Sequence, residues 1–485
     1  MIANFFYYFW ILLNLLLFIF VLFESILLVI SIISKKKEKI DKISLYPQVT
    51  IQLPLFNEKY VVERLIDSVC KINYPKGKME IQILDDSSDE TTNIIQKIIG
   101  KYLDLGFNII HIRREERTGY KAGALDYGMK LSKSEFFAIF DADFIPNNQF
   151  LNCTLPFFNN SKIGVVQTRW THINEKFSFI TRAQAIMLNT HFSIEHLGRI
   201  SSGAFINFNG TAGIWRKETI EDAGGWEPDT LTEDLDISFR AQVKGWKFKY
   251  LFDVESPAEL PVTIDAYKTQ QYRWSKGAAE CVRKNMAMVW KSQVSIWAKM
   301  VGSMHLLNSS LYIIVFLLLL CGPLVFWLTM NNLLSSETIH TINYSNIFIS
   351  LSIPMMFLVG HLMVSKQKAK DLLMFPVNYY FFVCITIAIS FYMVVGVIEG
   401  YRGKKTAFIR TPKFNLEKEK SKEKKGYEFK KENNRIVFEF IILLYGLTIL
   451  FLGFNYENLA IANFGLMISI GYILKIFFSK RIFRI

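Results

Sequence analysis

The sequence is short of cysteine: there are only 5 in 485 residues, at Cys70, Cys153, Cys281, Cys321 and Cys384, and no two form a C-x-x-C pair. That scatter excludes a zinc or disulfide framework and suits reduced thiols. Charge is also scarce, at 20% of residues, while 51% are hydrophobic and 15% aromatic. This balance excludes intrinsic disorder and is unlike an ordinary soluble enzyme. No basic stretch precedes the first apolar run, which is too long for a signal peptide's apolar segment and ends without a small-residue cleavage site, so it is read as retained. The histidines lack metal-ligand spacing. His191 and His196 are five apart, a separation that misaligns them on an α-helix, and His111, His172 and His305 are read with them as packing residues. No internal repeat is evident.

What the chain has in quantity is long apolar runs, placed towards its two ends: Ile2–Ile33, Leu306–Met330, Ile347–Val364, Phe375–Ile398, Ile436–Phe454 and Leu459–Phe478. Each is about the ~20 residues needed to cross a bilayer. The segment between them, roughly Lys35–Lys299, has the texture of a soluble α/β domain. The net charge of +13 is concentrated beside the spans, with 12 Lys/Arg against 4 Glu between Arg402 and Lys431. Such a loop beside apolar runs marks a cytosolic membrane surface, not a nucleic-acid partner. Lys35-Lys36-Lys37 follows the first run and places the central domain in the cytosol by the same rule. If every run crossed, the basic Arg402–Lys431 loop would lie outside. Five crossings are therefore expected, with Phe375–Ile398 interfacial or re-entrant. The divisions expected are a first span at 1–34, a cytosolic domain at 35–299, transmembrane and interfacial helices at 300–400, a basic cytosolic loop at 401–435 (its Lys/Glu-rich part Glu417–Lys431) and a terminal hairpin at 436–485, which returns Lys475, Lys480, Arg481 and Arg484 to the cytosol.

Within the central domain, β-rich runs at Val49–Leu53, Glu80–Leu84, Asn108–Ile112 and Phe136–Phe140 alternate with helical patterns at Val61–Cys70 and Thr91–Ile99. Alternation of this kind implies an α/β fold with a mostly parallel sheet, whose ligands bind beyond the carboxyl ends of the strands. Two runs end there in acidic pairs, Asp85-Asp86 and Asp141-Ala142-Asp143. Either pair alone reads equally as loop or capping residues. Together they point to an anionic ligand held with a hard cation such as Mg²⁺ or Mn²⁺. Thr232-Glu233-Asp234 either caps the helical stretch Leu235–Lys244 or offers a carboxylate as a general base. In Gln270-Gln271-Tyr272-Arg273-Trp274, Arg273 offers a donor fork for phosphate and Trp274 a face for a sugar ring, although such residues also mark helices at a membrane surface. Asn209-Gly210-Thr211-Ala212-Gly213 reads as a tight turn or a close backbone approach to ligand, and Lys121 as a phosphate contact or a solvated lysine.

Taken in order, Leu53–Glu58, Asp85-Asp86-Ser87, Lys121-Ala122-Gly123, Asp141-Ala142-Asp143, Thr232-Glu233-Asp234 and Gln270-x-x-Arg273-Trp274 resemble the signature of family 2 glycosyltransferases, over about Pro47–Gly277. The set is most similar to the cellulose-synthase superfamily and its glucomannan-synthase-like branch. The resemblance implies a GT-A (Rossmann-like) fold and an inverting transfer from a nucleotide-sugar donor. Asn57, Glu58, Asp85 and Asp86 would hold the nucleoside, and Asp141 and Asp143 the metal and diphosphate, with Lys121 nearby. Asp234 would be the base, paired with Glu233. Gln270, Arg273 and Trp274 would meet diphosphate and acceptor, and Phe205–Thr211, including Gly210 and Thr211, the acceptor sugar. Phe408-x-x-Thr411-x-Lys413 resembles the gating loop of processive synthases, which adds Thr411 to the donor site. As read, the chain has no cyclic-dinucleotide-binding domain and one span ahead of the catalytic domain.

The expected protein is thus a multi-pass inner- or plasma-membrane β-glycosyltransferase with a cytosolic catalytic domain. It would extend a polysaccharide from UDP-glucose or GDP-mannose with Mg²⁺ or Mn²⁺, and its partners are the donor, a growing glycan or lipid acceptor, and membrane lipid. The alternatives are a lipid glycosyltransferase that adds a single sugar, and a non-catalytic membrane binding protein or channel, which intact acidic motifs disfavour.

Overall fold

The computed structural model describes residues 2–334, 339–415 and 436–481; the expectations for Glu417–Lys431 and Arg484 lie outside them. The central domain is built on a seven-stranded sheet: β1 Val49–Leu55, β2 Met79–Asp85, β3 Asn108–Ile112, β4 Phe136–Ile139, β5 Ile163–His172, β6 Gly213–Arg216 and β7 Lys247–Ala258. The spatial order is β3-β2-β1-β4-β6-β5-β7. The first four strands are parallel, as is β5 with β7, while β6 runs antiparallel to both of its neighbours. The chain moves outward from β1 through β2 to β3 and then returns to the other side of β1 as β4. This reversal opens a crevice at the carboxyl ends of β1 and β4, where ligands bind in open α/β sheets.

The strands are apolar because both faces are covered. Ile51, Leu53, Ile81, Ile83, Phe140 and Ile214 pack in one buried layer, and Leu84, Phe137, Ile139, Val165 and Trp215 in another. β1 runs on through Pro54, where a strand end is expected from sequence: Pro54 has no N–H to donate, but pairing with β4 has already stopped at Gln52. β5, β6 and β7 have no counterpart in the sequence reading. The short β6 in particular lies within the Asn209–Gly213 turn motif and its sequel.

The helix Phe179–Thr190 starts at a capping box on Ser178 and Thr181. It continues through a π-helical turn, His191–His196, into Leu197–Ser201. With hydrogen bonds spaced i→i+5, residues five apart come to one face. The rings of His191 and His196 are accordingly 5.8 Å apart, against the α-periodic expectation. His196 is fully buried, edge-on to Tyr250 at 4.5 Å.

Among the described residues six helices are long and apolar enough to cross a membrane: Ala3–Ser34, Ile296–Met330, Asn346–Val364, Lys368–Tyr401, Val437–Asn455 and Leu459–Ser479. Lys368–Tyr401 differs from the rest. Of its apolar window 67% is buried, against 17–39% in the other five. Both of its ends touch the central domain. Just before its start, Lys366 pairs with Glu255 at 3.4 Å. At its end, Glu399 takes a hydrogen bond from Tyr272 and lies 3.5 Å from Lys276. Between them Phe382, Ile385, Ile389 and Met393 pack on Ile180, Ala183, Ile264 and Tyr267. Gly396 and Gly400 allow the backbones to meet, since a Cβ would stand 3.1 Å from the Tyr272 carbonyl oxygen and 2.5 Å from that of Lys276. Ile387 and Ala388 of the same helix also pack with Leu319, Ile468 and Tyr472 of the other apolar helices.

Candidate active site

β1, β2 and β4 deliver their carboxyl ends to the crevice. Beyond β1, Asn57 adopts a left-handed backbone (φ 57°). Its N–H donates to Ser87 Oγ and its Oδ1 accepts from the Ser88 N–H, both at 2.9 Å. Asp85 is 1% exposed and fully engaged: Oδ1 accepts from the Ser87 N–H (2.9 Å), and Oδ2 accepts from Thr92 Oγ1 (2.7 Å) and faces His111 Nε2 (2.9 Å). Burial pushes its carboxyl up, but the hydrogen bonds from His111, Ser87 and Thr92 outweigh this and hold it at about 2. Asp86 receives a two-pronged contact from Arg114, which also donates to the carbonyls of Thr118 and Tyr120. Arg117 lies over the Phe56 ring, 3.4 Å from its centroid. Arg114 and Arg117 are not singled out in the sequence reading; the available signal was a cluster of three arginines, Arg113-Arg114-x-x-Arg117, just past the end of a strand.

On the β4 side, the Asp141 N–H donates to the buried Thr211 Oγ1 at 2.8 Å. The Asp141 carboxylate holds Lys121 Nζ at 2.5 Å, and that ammonium donates also to the Gly210 carbonyl at 2.8 Å. Burial works against the charge on Lys121, but Asp141 and Glu233 overcome it and raise the lysine above its usual range. Asp143 is buried and paired with Lys413. The helix Glu233–Val243 begins in the middle of the Thr-Glu-Asp motif. Thr232 precedes it without capping it through its side chain; its hydroxyl faces Cys281 Sγ at 3.4 Å. Glu233 and Asp234 therefore sit at a helix N-terminus, which favours negative charge, and Asp234 Oδ1 accepts from the Leu235 N–H at 2.8 Å. Burial nevertheless dominates and, with Glu233 beside it, pushes Asp234 up to about 7. Gly210 has φ +78°, and a Cβ there would stand 2.8 Å from Asp234 Oδ2. Only glycine brings this turn so close to the carboxylate.

The third wall is the helix Ile264–Lys291. Its Arg273 lies 4.4 Å from the centre of the Phe408 ring and donates to the Ile409 carbonyl at 3.3 Å. Trp274 packs by Leu188 and Leu260, and Gln270 is half-buried one turn before Trp274. These contacts dock the segment 404–415 across the crevice. Arg410 pairs with Glu58 at 3.1 Å and donates to the Phe56 and Asn57 carbonyls. Burial pushes Glu58 up to about 8, with Arg410 and Lys413 acting the other way. The Phe414 and Asn415 N–H groups donate to Glu259 at 2.8 and 3.0 Å, and Arg64 ties Glu259 to the Asp143 carbonyl. Thr411 Oγ1 is buried with no hydrogen-bond partner among the described residues. Glu259, Arg64 and Arg410 are further residues that sequence reasoning missed: the first two are single charges outside any motif, and Arg410 fills an unspecified position of Phe408-x-x-Thr411-x-Lys413. A cavity of about 310 Å³ remains, lined in part by Tyr120, Lys121, Asp229, Glu233, Glu280 and Phe408.

The structure thus brings Asn57, Glu58, Lys121, Asp141, Asp143, Gly210, Thr211, Glu233, Asp234, Arg273 and Thr411 to one crevice, with Asp85 and Asp86 engaged at its rim on the β2 side. Among the described residues one further acidic trio is close enough to chelate a metal, Glu227, Asp229 and Asp236. Lys284 Nζ already fills it, at 2.6, 2.7 and 3.0 Å.

Residues 47–277 match the model of the family described as glycosyltransferase like family 2. This segment is similar to family 2 glycosyltransferases. Glucomannan 4-beta-mannosyltransferase 1 of Oryza sativa subsp. japonica is 44% identical over 262 residues, which is 53% of this chain and 50% of that one. Glucomannan 4-beta-mannosyltransferase 7 of Arabidopsis thaliana is 42% identical over 260 residues, covering 52% and 47%. The chain spans about half the length of these curated relatives. Among solved structures, the mannosyltransferase PcManGT from Pyrobaculum calidifontis, in complex with GDP-Man and Mn²⁺, superposes with a TM-score of 0.53 at 16% identity, over 83% of this chain and 99% of that one. This likeness shows the GT-A fold.

Proposed function

We propose that the protein is a membrane-embedded inverting β-glycosyltransferase that extends a 1,4-linked polysaccharide, with GDP-mannose as the preferred donor and UDP-glucose as the second candidate. The observation that carries this reading is the placement of Asp234, a carboxylate raised to about 7 at a helix N-terminus, against the bare Gly210 turn and beside the Lys121–Asp141 pair. The mannosyl donor follows from the names of the relatives. In the reaction, the terminal hydroxyl oxygen of the glycan bonds to the anomeric carbon from the face opposite the diphosphate. The bond from that carbon to the diphosphate oxygen breaks, and Asp234 accepts the hydroxyl proton. Lys121 and Arg273 lie where they can hold the diphosphate. Phe408–Lys413 covers the donor, and Thr411 offers it an unused hydroxyl.

The all-oxygen pair Asp141 and Asp143 fits a hard divalent ion such as Mg²⁺ or Mn²⁺. Each carboxylate holds an ammonium here, from Lys121 and Lys413, so positive charge already gathers at this point. The ion would offset the charge that develops on the leaving diphosphate.

Transfer needs ionised Asp234, so activity falls as pH drops through its pKa. Glu233 is one of the charges raising that pKa. Glu233→Gln is expected to lower it and move the acid limb of the pH–rate profile to lower pH, and an unmoved or rising limb counts against Asp234 as the base.

We place the domain on the cytosolic side with five crossings, Lys368–Tyr401 lying along the membrane face. Both of its ends touch the same domain. Single cysteines replacing the exposed Lys370 and Arg402 are expected to react with a membrane-impermeant thiol reagent from the same side, and opposite-side labelling would mean that this helix crosses. The function itself is tested with purified protein in nanodiscs, Mg²⁺ or Mn²⁺, and separately labelled GDP-mannose and UDP-glucose. A long product degraded by β-mannanase is expected; a product with one sugar that partitions into organic solvent would make this a lipid glycosyltransferase.

A further inference from the structure

We propose that His191 is a positioning residue for glycosyl transfer, acting through Asn209 to hold the Gly210 turn against Asp234. The inference rests on the reading of Asp234 as the base. His191 occupies the first position of the π-turn, where Nε2 faces Asn209 Oδ1 at 3.2 Å and Nδ1 faces Glu195 Oε2 at 3.0 Å. Glu195 is held in turn by Arg199 at 2.9 Å. Burial pushes Glu195 up, but its contacts with His191 and Arg199 outweigh this and hold it at about 2.

Asn209 is fixed from three directions. Its N–H donates to Gln167 Oε1 at 3.0 Å, and its Oδ1 accepts from Asn207 Nδ2 at 2.9 Å and faces His191. The next residue is Gly210, whose carbonyl accepts from Lys121 and whose Cα has no room for a methyl beside Asp234. A shift of the Asn209 side chain is therefore transmitted over one peptide to the surface that an attacking hydroxyl must pass. His191, Glu195 and Arg199, spaced by four, share a face as in any α-helix, and the π-turn adds His196 to it, 5.8 Å from His191. The same helix is pinned to the membrane helices. A Cβ on Gly198 would stand 2.6 Å from the Leu27 carbonyl, and one on Gly360 2.8 Å from Thr190. The π-turn thus ties the position of the membrane helices to the acceptor side of the site. The nucleoside contacts at Asn57, Asp85 and Asp86 are on other loops, so donor binding is expected to be insensitive to His191.

The test compares wild type, His191→Phe, which keeps a ring against Phe192 and His196 but removes both nitrogens, and His191→Gln, which keeps a donor within reach of Asn209. Transfer to a soluble oligosaccharide acceptor, hydrolysis of the donor by water, nucleoside diphosphate affinity and melting temperature are read on each. The expected result is a tenfold or greater loss of transfer in the Phe variant. It appears in acceptor KM or kcat, with donor hydrolysis and nucleotide affinity within twofold of wild type and most activity restored by Gln. Unchanged transfer in the Phe variant, or a loss shared equally by nucleotide affinity, overturns the proposal. If the Phe variant does not fold, His191→Asn, which is too short to reach Asn209, replaces it with the same expectations. A wild-type protein that transfers no sugar from any donor instead overturns the reading of the function.

Discussion

Asp234→Asn is expected to lower kcat by roughly a thousandfold, within the range found when a general base is removed. The amide has the shape of the carboxylate, and its oxygen can keep the Leu235 N–H bond at the start of the helix. What it loses is the ability to take a proton. Donor affinity is therefore expected to stay within a few-fold of wild type, and the melting temperature to hold or rise, because a charge that burial disfavours is gone. Single-turnover transfer with saturating donor, alongside calorimetric nucleotide binding, separates the two effects. A variant that keeps a tenth or more of wild-type turnover removes Asp234 from the role.

The second large effect is expected at Gly210. Gly210→Ala places an L-residue at φ +78°, at a cost of about 1–2 kcal/mol, and sets a methyl 2.8 Å from the Asp234 oxygen. That contact is too close to stand, so the turn or the carboxylate must move. A fall in kcat/KM of about a hundredfold is expected, since small misplacements at a reacting centre have effects of this size. Gly203→Ala is the matched control: its φ is +74°, but nothing lies within 4 Å of the added Cβ. It carries the same backbone cost and is expected to leave the acceptor KM and kcat close to wild type. If both variants lose activity equally, backbone strain and not the approach to Asp234 explains Gly210.

Much of the site was legible because its chemistry sits at strand ends and helix starts. Asp85-Asp86 and Asp141–Asp143 close runs of buried β-branched and aromatic residues, so their placement at the crevice follows from the parallel sheet. Glu233 and Asp234 stand at the start of a periodic helix. The long charged side chains that reach across the crevice were not legible. Arg410, Lys413 and Arg64 are more than 65 residues away in sequence from at least one of their partners, and nothing local marks a cation for one distant carboxylate over another. The sequence equally hides that Asp85 spends both oxygens on Ser87, Thr92 and His111. The nearness of His191 to His196 is hidden too, because α-helical periodicity separates residues five apart and the π-turn that joins them depends on the surrounding packing.

Composition and order alone determined that long apolar helices flank an α/β domain with paired carboxylates at its strand ends, because apolar length and strand–helix alternation are properties of the chain itself. Which charges meet was decided by the folded chain. Lys413 reaches Asp143, and Gly210 reaches Asp234, only after strand order and helix docking have brought segments hundreds or tens of residues apart to one crevice. The surroundings of Lys368–Tyr401 belong to the same class: its composition fits a span, and only the fold shows that one face packs against Ile180, Ile264 and Tyr267, where it finds protein in place of lipid.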